Sequence, residues 1–369
     1  MKRSLSILLA AILLLSVVLV GCTLPSVPGG TSGTGGATGK GELIGVAMPT
    51  KSLQRWNQDG EHMQKLLEQA GYKVDLQYAE DDVELQVSQI ENMITKGAKV
   101  LVIASIDGES MGGVCEQAAK EGIKVIAYDR LIKGTPYVDY YATFDNYKVG
   151  AIQGKYIVET LKLDKGEKGP FTLEVFGGSP DDNNAYFFNQ GAMDILNPYI
   201  KSGVLVVKSG QVEMEKIAIP AWKSATAQAR MDNLLTAFYA DENVDVILSP
   251  NDSIATGIVA SLKAAGYGTA SKPYPILTGQ DCDIANVKHL IAGEQSMSVF
   301  KDTRTLAGKV VGMVDAILKG TEPEINDTET YDNGVKIVPS YLCEPVFADV
   351  NNYKELLIDS GYYTEDQLK

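Results

Sequence analysis

Charged, amide and indole side chains recur at predicted loop positions in both halves of the sequence. Arg55 and Trp56 follow the first predicted strand, and Asp129 and Arg130 follow a later one. The second half contributes Asp182, Asn184, Trp222, Asn251, Asp252, Asp281 and Lys301. A carbohydrate requires this mixture, because each hydroxyl both donates and accepts hydrogen bonds and the C–H faces stack on aromatic rings. A net hydrogen bond to a charged partner contributes about 1.5–3 kcal/mol. The pattern therefore predicts a site for a small polyhydroxylated ligand.

Each of these residues also has a purely structural interpretation. Asp181 could cap the helix that begins near Asn184, and Asp252 could cap the helix at Ile254. Asp129 and Arg130 could form a surface ion pair of little energetic value, and Trp56 could belong to the hydrophobic core. What favours a site is that so many of these residues follow predicted strands.

Strands alternate with helices along most of the chain. The predicted strands cover residues 42–48, 73–79, 100–104, 124–129, 171–177, 205–208, 244–249, 274–278 and 295–300. Helices are predicted over 54–71, over 83–97, up to 122, and over 184–199, 231–238, 254–266, 284–293 and 303–320. This alternation is typical of parallel sheets covered by helices, and its two sets predict an α/β protein of two Rossmann-like lobes. Ligands of such sheets bind beyond the carboxyl ends of the strands, where the polar residues lie.

The first 41 residues read as an export signal followed by a tether. Lys2 and Arg3 precede an apolar run over residues 7–20, and Gly21-Cys22 follows it. This order predicts a lipoprotein signal peptide over residues 1–21, with Cys22 acylated as a membrane anchor. A transmembrane anchor is the alternative, although a spanning helix needs about 20 apolar residues. Residues 22–41 are rich in Gly, Ser, Thr and Pro and predict a flexible linker.

Composition narrows the class of partner. The net charge of −14 argues against nucleic acid and against a protein body that sits on anionic lipid. Cys115, Cys282 and Cys343 are odd in number and distant in sequence, so no disulfide framework is expected. The two histidines are far apart, and residues 326–334 lack the spacing of a calcium loop, so no metal site is predicted.

Several motifs together resemble those of the substrate-binding proteins of bacterial monosaccharide ABC importers. They include AMPTKSLQRW, VIAYDRLI, GGSPDDNNA, SPNDS, TGQD and VFKDTR, and the resemblance runs from about Leu43 to Lys369. The multiple-sugar-binding branch is the most similar, with xylose-binding proteins as close relatives. The sequence departs from that branch at Asn251, where a tyrosine is found, and at Cys282.

The resemblance implies a type I periplasmic binding protein fold with an aldopyranose between the lobes. The lobes would comprise residues 42–144 plus 281–327 and residues 145–280 plus 328–369. Trp56 and Trp222 would sandwich the sugar ring, Asp281 would lie at the hinge, and the remaining predicted site residues would bind hydroxyls. Asn251 and Cys282 bear on which sugar is preferred.

The resemblance further implies an exported, monomeric capture protein without a cofactor. It would bind xylose, glucose, galactose or arabinose by lobe closure and deliver it to an ABC permease and its ATPase. A sugar-sensing receptor component for chemotaxis or signalling is the alternative. An enzyme acting on sugars is disfavoured, because no GxGxxG follows the first strand and the carboxylates lie among basic and amide partners. A sugar-responsive transcription regulator would need a DNA-binding segment where the export signal stands.

Overall fold

A computed structural model of the protein describes residues 40–369. The predicted signal peptide, the lipidation site Cys22 and nearly all of the 22–41 linker lie outside these residues. Within the described part of the chain, none of the helices combines the length and the apolar character that crossing a membrane requires.

The elements are numbered in chain order. The strands are β1 (Leu43–Met48), β2 (Lys73–Tyr78), β3 (Val100–Ile103), β4 (Lys124–Tyr128), β5 (Tyr140–Phe144), β6 (Phe171–Val175), β7 (Leu205–Val207), β8 (Val246–Leu248), β9 (Ile276–Leu277), β10 (Ser298–Phe300), β11 (Ser340–Cys343) and β12 (Val346–Ala348). The helices are α1 (Gln54–Ala70), α2 (Val83–Thr95), α3 (Gly112–Lys120), α4 (Asn146–Thr160), α5 (Asn183–Lys201), α6 (Met214–Ile217), α7 (Ser224–Phe238), α8 (Asp252–Ala264), α9 (Ile284–Ile291) and α10 (Thr303–Lys319). A π-helical turn follows at Lys354–Asp359.

The first lobe is built on a six-stranded parallel sheet. Its strand order is β11-β5-β4-β3-β1-β2. Each residue of β3, VLVI, is buried, as expected for a strand covered by helices on both faces. One face packs with α1 and α10 and the other with α2 and α3, so the carboxyl ends of β1 and β4 are fixed at one edge.

The second lobe is built on a four-stranded parallel sheet of order β7-β6-β8-β9. The antiparallel pair β10 and β12 extends it, because Gln280 bridges Val299 beside β9. Helices α4 and α5 cross closely at glycines: a Cβ on Gly150 would lie 1.9 Å from the Phe188 carbonyl oxygen, and one on Gly191 would lie 2.0 Å from that of Tyr147. Only glycine permits this backbone contact.

The chain passes between the lobes at residues 144–146, 300–303 and 343–346, which we call the crossovers. The predicted division of the lobes differs from this arrangement in two places. Residues 281–300 pack with the second lobe, since the Val299 N–H donates to Gly279 O at 2.9 Å and the Asn286 amide donates to Asp252 O at 2.9 Å. Ser340–Cys343 pairs with β5 in the first lobe, although residues 328–369 were expected in the second.

Five elements were not predicted from the sequence, namely β5, β11, β12, α4 and α6. Strand β5 and helix α4 fill the stretch between the two predicted sets, and β11 completes the first sheet. In α4, NYKVGAIQGKYIVET, two glycines and several polar residues interrupt the apolar spacing, so its periodicity is weak. Strand β11 is four residues long and follows a polar loop, so it carries little signal of its own.

Candidate ligand-binding cavity

A cavity lies between the lobes, at the carboxyl ends of their strands. About 430 Å³ of space, partly open to solvent, separates its walls. The predicted site residues that line it are Arg55, Trp56, Asp129, Arg130, Asp182, Asn184, Trp222, Asn251, Asp281 and Lys301. Sequence reasoning missed Leu53, Phe188, Ser253, Gln280 and Asp283. Phe188 lies one helical turn after Asn184, a spacing that could have identified it.

Arg55 organises the first-lobe wall. Its Nη2 donates to Asp129 Oδ2 at 2.5 Å, its Nη1 to Asp281 Oδ1 at 3.1 Å and its Nε to Asp59 Oδ2 at 2.9 Å. Asp59 lies one turn along α1 and beneath Arg55, fully buried. Lys301 Nζ adds a second cation 3.1 Å from Asp281 Oδ1. Arg55 and its partners, with Asp281 supplied by the second lobe, therefore form a closed network of alternating charges.

The charges of this network are mutually stabilised. Burial opposes the charge on Arg55, but Asp129, Asp59 and Asp281 outweigh it and raise the pKa of the guanidinium. Burial likewise acts to raise the pKa of Asp129, but Arg55, Lys301 and Arg130 lower it below the ordinary value. Asp129 thus stays a carboxylate that can accept hydrogen bonds from a ligand.

Arg130 connects this wall to the opposite lobe. Its Nη1 donates to the carbonyls of Ser105 and Ile106 at 3.2 and 3.3 Å, and its Nε lies 3.0 Å from Asp182 Oδ2. The guanidinium also lies over the Trp56 ring, 5.1 Å from the centroid. Asp129 and Arg130 are buried, so the surface ion-pair interpretation is wrong. Trp56 is buried as well, yet its ring faces the cavity.

A strained turn presents Trp222 on the second-lobe wall. Ala221 and Trp222 have φ values of 52° and 56°, a left-handed conformation that is rare for residues with a Cβ. Opposite the ring lies Gly178, where a Cβ would come within 2.0 Å of the indole. Phe188 packs against the indole edge-on at 6.3 Å between centroids. The buried indole Nε1 has no hydrogen-bond partner among residues 40–369.

Other left-handed residues also lie at the cavity. Asp129 and Asp281, which line it, have φ values of 58° and 97°. Non-glycine residues of this conformation cost about 1–3 kcal/mol each and concentrate at ligand sites. The surrounding packing holds them, so the direction of each carboxylate is fixed before any ligand arrives.

Two predicted caps are assigned differently by the structure. Asp182, not Asp181, caps α5, with its Oδ1 accepting from the Asn184 N–H at 2.9 Å. Asn251, not Asp252, caps α8, with its Oδ1 accepting from the Ile254 N–H at 3.1 Å. Both caps also line the cavity, so capping and lining are compatible in one side chain.

Asp252 is not among the residues that line the cavity, contrary to prediction. It points into the second lobe, where it accepts from Ser298 Oγ and Gln295 Nε2 at 2.9 Å each. It also accepts from the backbone N–H of Asp283 at 2.9 Å. Successive residues of a turn point in different directions, which separates Asp252 from Asn251. Asp252 therefore fixes the backbone behind the site.

Asn184 joins the two lobes directly. Its Nδ2 donates to the Asp129 carbonyl at 2.8 Å, and its Oδ1 accepts from Asn146 Nδ2 at 2.9 Å and from Tyr141 OH at 3.1 Å. Tyr141 and Asp129 belong to the first lobe, whereas Asn146 and Asn184 lie in the first turns of the second-lobe helices α4 and α5. The two walls are thus held close enough to enclose a small ligand.

The sequence matches a family model described as a periplasmic binding protein domain over residues 44–322. A multiple sugar-binding periplasmic protein of Azospirillum brasilense is 59% identical over 326 residues, covering 88% of this chain and 91% of that protein. A multiple sugar-binding periplasmic receptor of Rhizobium radiobacter is 58% identical over 326 residues, covering 88% and 92% of the two chains. The D-xylose-binding periplasmic protein of Escherichia coli is 37% identical over 88% of this chain and 92% of its own length.

A solved structure has the same architecture. The solute binding protein of an ABC transporter from Clostridium phytofermentans, crystallised with β-D-glucose, is 64% identical and superposes with a TM-score of 0.86. The match covers 89% of this chain and all of that one. The predicted fold class, two Rossmann-like lobes of the type I kind, is confirmed. Because the matched family and these relatives are binding proteins, the glycosidase and dehydrogenase alternatives are excluded.

Proposed function

Since the chain belongs to the periplasmic binding protein family, we propose that it is the exported solute-binding component of a sugar ABC importer. Its ligand would be an aldopyranose such as xylose, glucose, galactose or arabinose. The observation that carries the proposal is the cavity itself, where Arg55, Asp129 and Trp56 of one lobe face Trp222 and Asn251 of the other. The relatives that bind glucose, xylose or multiple sugars support the same class of ligand.

In this proposal the carboxylates accept hydroxyl hydrogens and the cations donate to hydroxyl oxygens. Asp129, Asp182 and Asp281 serve as acceptors, while Arg130 and Lys301 serve as donors. Trp56 and Trp222 lie on the two lobes and would cover opposite faces of the ring. The unpartnered Nε1 of Trp222 is one donor that a ligand oxygen would satisfy.

The two departures from the multiple-sugar branch affect this site unequally. The Asn251 amide lines the cavity and is held by its cap and by Ser253 Oγ at 3.0 Å. Cys282 is buried, with its Sγ 3.8 Å from the Ser298 carbonyl, and it is not among the lining residues. We therefore assign an effect on sugar preference to Asn251 rather than to Cys282.

Capture would follow from lobe closure. A sugar that contacts both walls binds the closed form better than an open one and shifts the population toward it. The closed protein would then dock on an ABC permease powered by its ATPase. Docking on a chemosensory or signalling receptor is the alternative partner, and the relative described as a receptor favours testing it.

We further propose that acylation of Cys22 anchors the exported protein to the membrane. The signal pattern of residues 1–21 and the polar linker that follows support this arrangement. Radiolabelled palmitate should enter the expressed protein, and Cys22→Ser should abolish the label and release the protein from the membrane fraction. Unchanged labelling of the variant would refute the anchor.

Calorimetry with D-xylose, D-glucose, D-galactose and L-arabinose tests the central proposal. At least one aldose should bind and raise the melting temperature by mass action. Arg130→Ala and Asp281→Ala should abolish that binding while the protein stays folded. Failure of all four aldoses to bind would refute the proposed function, and unchanged affinity in both variants would remove these residues from the site.

A further inference from the structure

The turn at residues 280–283 places two acceptor groups on the cavity that the sequence did not reveal. Gln280 and Asp283 both line the cavity, on either side of Asp281. Gln280 is 2% exposed, and its Nε2 donates to the Pro250 carbonyl at 3.3 Å. Its Oε1 is buried and accepts no hydrogen bond from residues 40–369. The amide is therefore fixed by its nitrogen, while its oxygen stays unpaired.

The Asp283 carboxylate likewise has a buried oxygen without a hydrogen-bond partner among the described residues. It precedes α9, and its carbonyl accepts from the N–H groups of Asn286 and Val287, both at 2.8 Å. Yet its side chain does not cap the helix. Its buried Oδ1 has no hydrogen-bond partner within the described chain.

Two other aspartates that directly precede helices do cap them with their side chains. Asp145 and Asp302 precede α4 and α10, and each accepts a backbone N–H of its helix, at 2.9 and 3.0 Å. The Asp283 backbone is held by Asp252, which accepts its N–H at 2.9 Å. A buried acceptor left unpaired is unfavourable, and a hydroxyl donor in the cavity would satisfy Oδ1.

The unpaired atoms of Gln280 and Asp283 are both hydrogen-bond acceptors. Gln280 Oε1 can only accept, and so can Asp283 Oδ1 in the ionised form, which predominates above the pKa of about 7 to which burial and Asp281 raise this carboxyl; the unpaired Nε1 of Trp222 elsewhere in the cavity is a donor. Arg55 and Lys301, the cations whose attraction acts on Asp283, are engaged by Asp281 at 3.1 Å each. A ligand group beside the 280–283 turn therefore has to bring its own hydrogen.

We propose that Gln280 and Asp283 form a donor-selective subsite, which accepts hydrogen bonds from ligand hydroxyls and discriminates against sugars that lack a hydroxyl at that position. The inference rests on the proposed function, because it names which part of the same cavity selects among monosaccharides. A site built around buried acceptors discriminates strongly against an analogue without the matching donor, since binding that analogue leaves the acceptors unpaired.

The test uses the tightest-binding of the four aldoses and its monodeoxyfluoro analogues. Fluorine replaces one hydroxyl at a time at similar size but cannot donate a hydrogen bond. Calorimetry on the wild-type protein should show one or two positions at which fluorination weakens binding at least tenfold. In Asp283→Ala or Gln280→Ala the parent sugar should bind more weakly, and the penalty at one of those positions should fall below threefold.

Asp181→Ala is the matched control. Asp181 is exposed, lies one residue before Asp182, and is not among the residues that line the cavity. Its removal should leave the wild-type fluorine profile intact, which separates a specific acceptor from a general loss of negative charge. Thermal unfolding checks that each variant is folded, and the Asp283 side chain makes no hydrogen bond that its replacement would break.

The outcomes distinguish this inference from the function it rests on. If an aldose binds but both variants keep the wild-type penalty at every position, the subsite is refuted and the proposed function stands. If the wild-type protein shows no tenfold penalty at any position, the subsite is refuted as well. Binding of none of the four aldoses would overturn both.

Discussion

On the first-lobe wall, Arg55 directs each of its three nitrogens at a protein carboxylate, whereas on the second-lobe wall the Trp222 N–H has no partner within residues 40–369. The charge of Arg55 is therefore fully paired without a ligand, once Asp281 of the second lobe is included. The second wall is held by packing and by backbone strain at Ala221 and Trp222, and its hydrogen bonding is left open. The preorganised charges around Arg55 would orient a ligand, whereas the unpaired hydrogen-bonding groups of the second wall would select among ligands.

Two carboxylates illustrate the same contrast. Asp129 has a lowered pKa, because Arg55, Lys301 and Arg130 together outweigh the effect of its burial. Asp182 is also buried, and burial raises its pKa because the opposing attraction of Arg130 is too weak to offset it. The pKa values of Asp129 and Asp182 shift in opposite directions because the number of cations around them differs, since both carboxylates are buried.

The largest effect is expected from Arg55→Ala. This change leaves Asp59, Asp129 and Asp281 close together without their shared cation, and breaking a buried ion pair costs about 3–5 kcal/mol. Urea denaturation should show a loss of that size, and calorimetry should show no sugar binding. As a control, Arg304→Ala removes a pair with Asp302 that is partly exposed, and it should cost about 1 kcal/mol or less. Equal losses in the two variants would contradict the importance of the network.

A smaller effect is expected from Asp59→Asn. Asp59 is not among the residues that line the cavity, yet it accepts from Arg55 Nε and from Tyr128 OH. Replacing a charged acceptor with a neutral one should weaken this support by about 1.5–3 kcal/mol. We expect sugar affinity to fall because Arg55 loses its fixed direction, and Asp59→Glu should restore part of it. Unchanged affinity in calorimetry would show that Asp129 and Asp281 suffice to position Arg55.

Trp222→Phe tests the hydrogen-bonding capacity of the second-lobe wall. It removes the indole N–H but keeps an aromatic ring, so about 1 kcal/mol of binding free energy should be lost. The free energy of unfolding should also fall, because Trp222 is buried and the smaller ring leaves space beside Gly178 and Phe188. A fall in stability without a fall in affinity would reverse the proposed division between the walls.

The smallest effect concerns pH. Because the pKa of Asp182 is raised and that of Asp129 is lowered, acidification protonates Asp182 before Asp129. Asp283, whose pKa burial and the charge of Asp281 raise to about 7, also loses charge as the pH falls below neutral. Asp182 then becomes a weaker acceptor and its attraction to Arg130 is lost, so sugar affinity should decline modestly as the pH falls. Asp182→Asn should flatten this decline, and Asp129→Asn should not. A decline that persists in Asp182→Asn would assign it to another group.

Much of the site could be predicted because parallel sheets place their carboxyl ends at one edge. Arg55, Asp129 and Asn251 follow strands whose apolar runs are evident, so their meeting follows from topology. A single limit explains why Asp252 was wrongly placed among the residues that line the cavity and why Asp283 was missed. Side-chain direction within a turn depends on local φ and ψ, and neither composition nor spacing reports these angles.

The supporting residues were harder to identify. Asp59 lies one helical turn from Arg55, but an acidic residue on a helix is ordinarily read as solvated. The division of the lobes was also wrong at residues 281–300 and at Ser340–Cys343, because strand pairing between distant segments leaves no local pattern.

The sequence by itself determined the alternation of strands and helices, the two-lobed class and the polar character of the positions that follow strands. These are properties of short-range periodicity and of residue type. Tertiary structure alone decided which carboxylate faces Arg55, which aspartate turns from its helix toward the cavity, and which strand completes the first sheet. Those outcomes depend on contacts between residues far apart in the chain, such as Arg55 with Asp281, whose energies exist only after the lobes have packed.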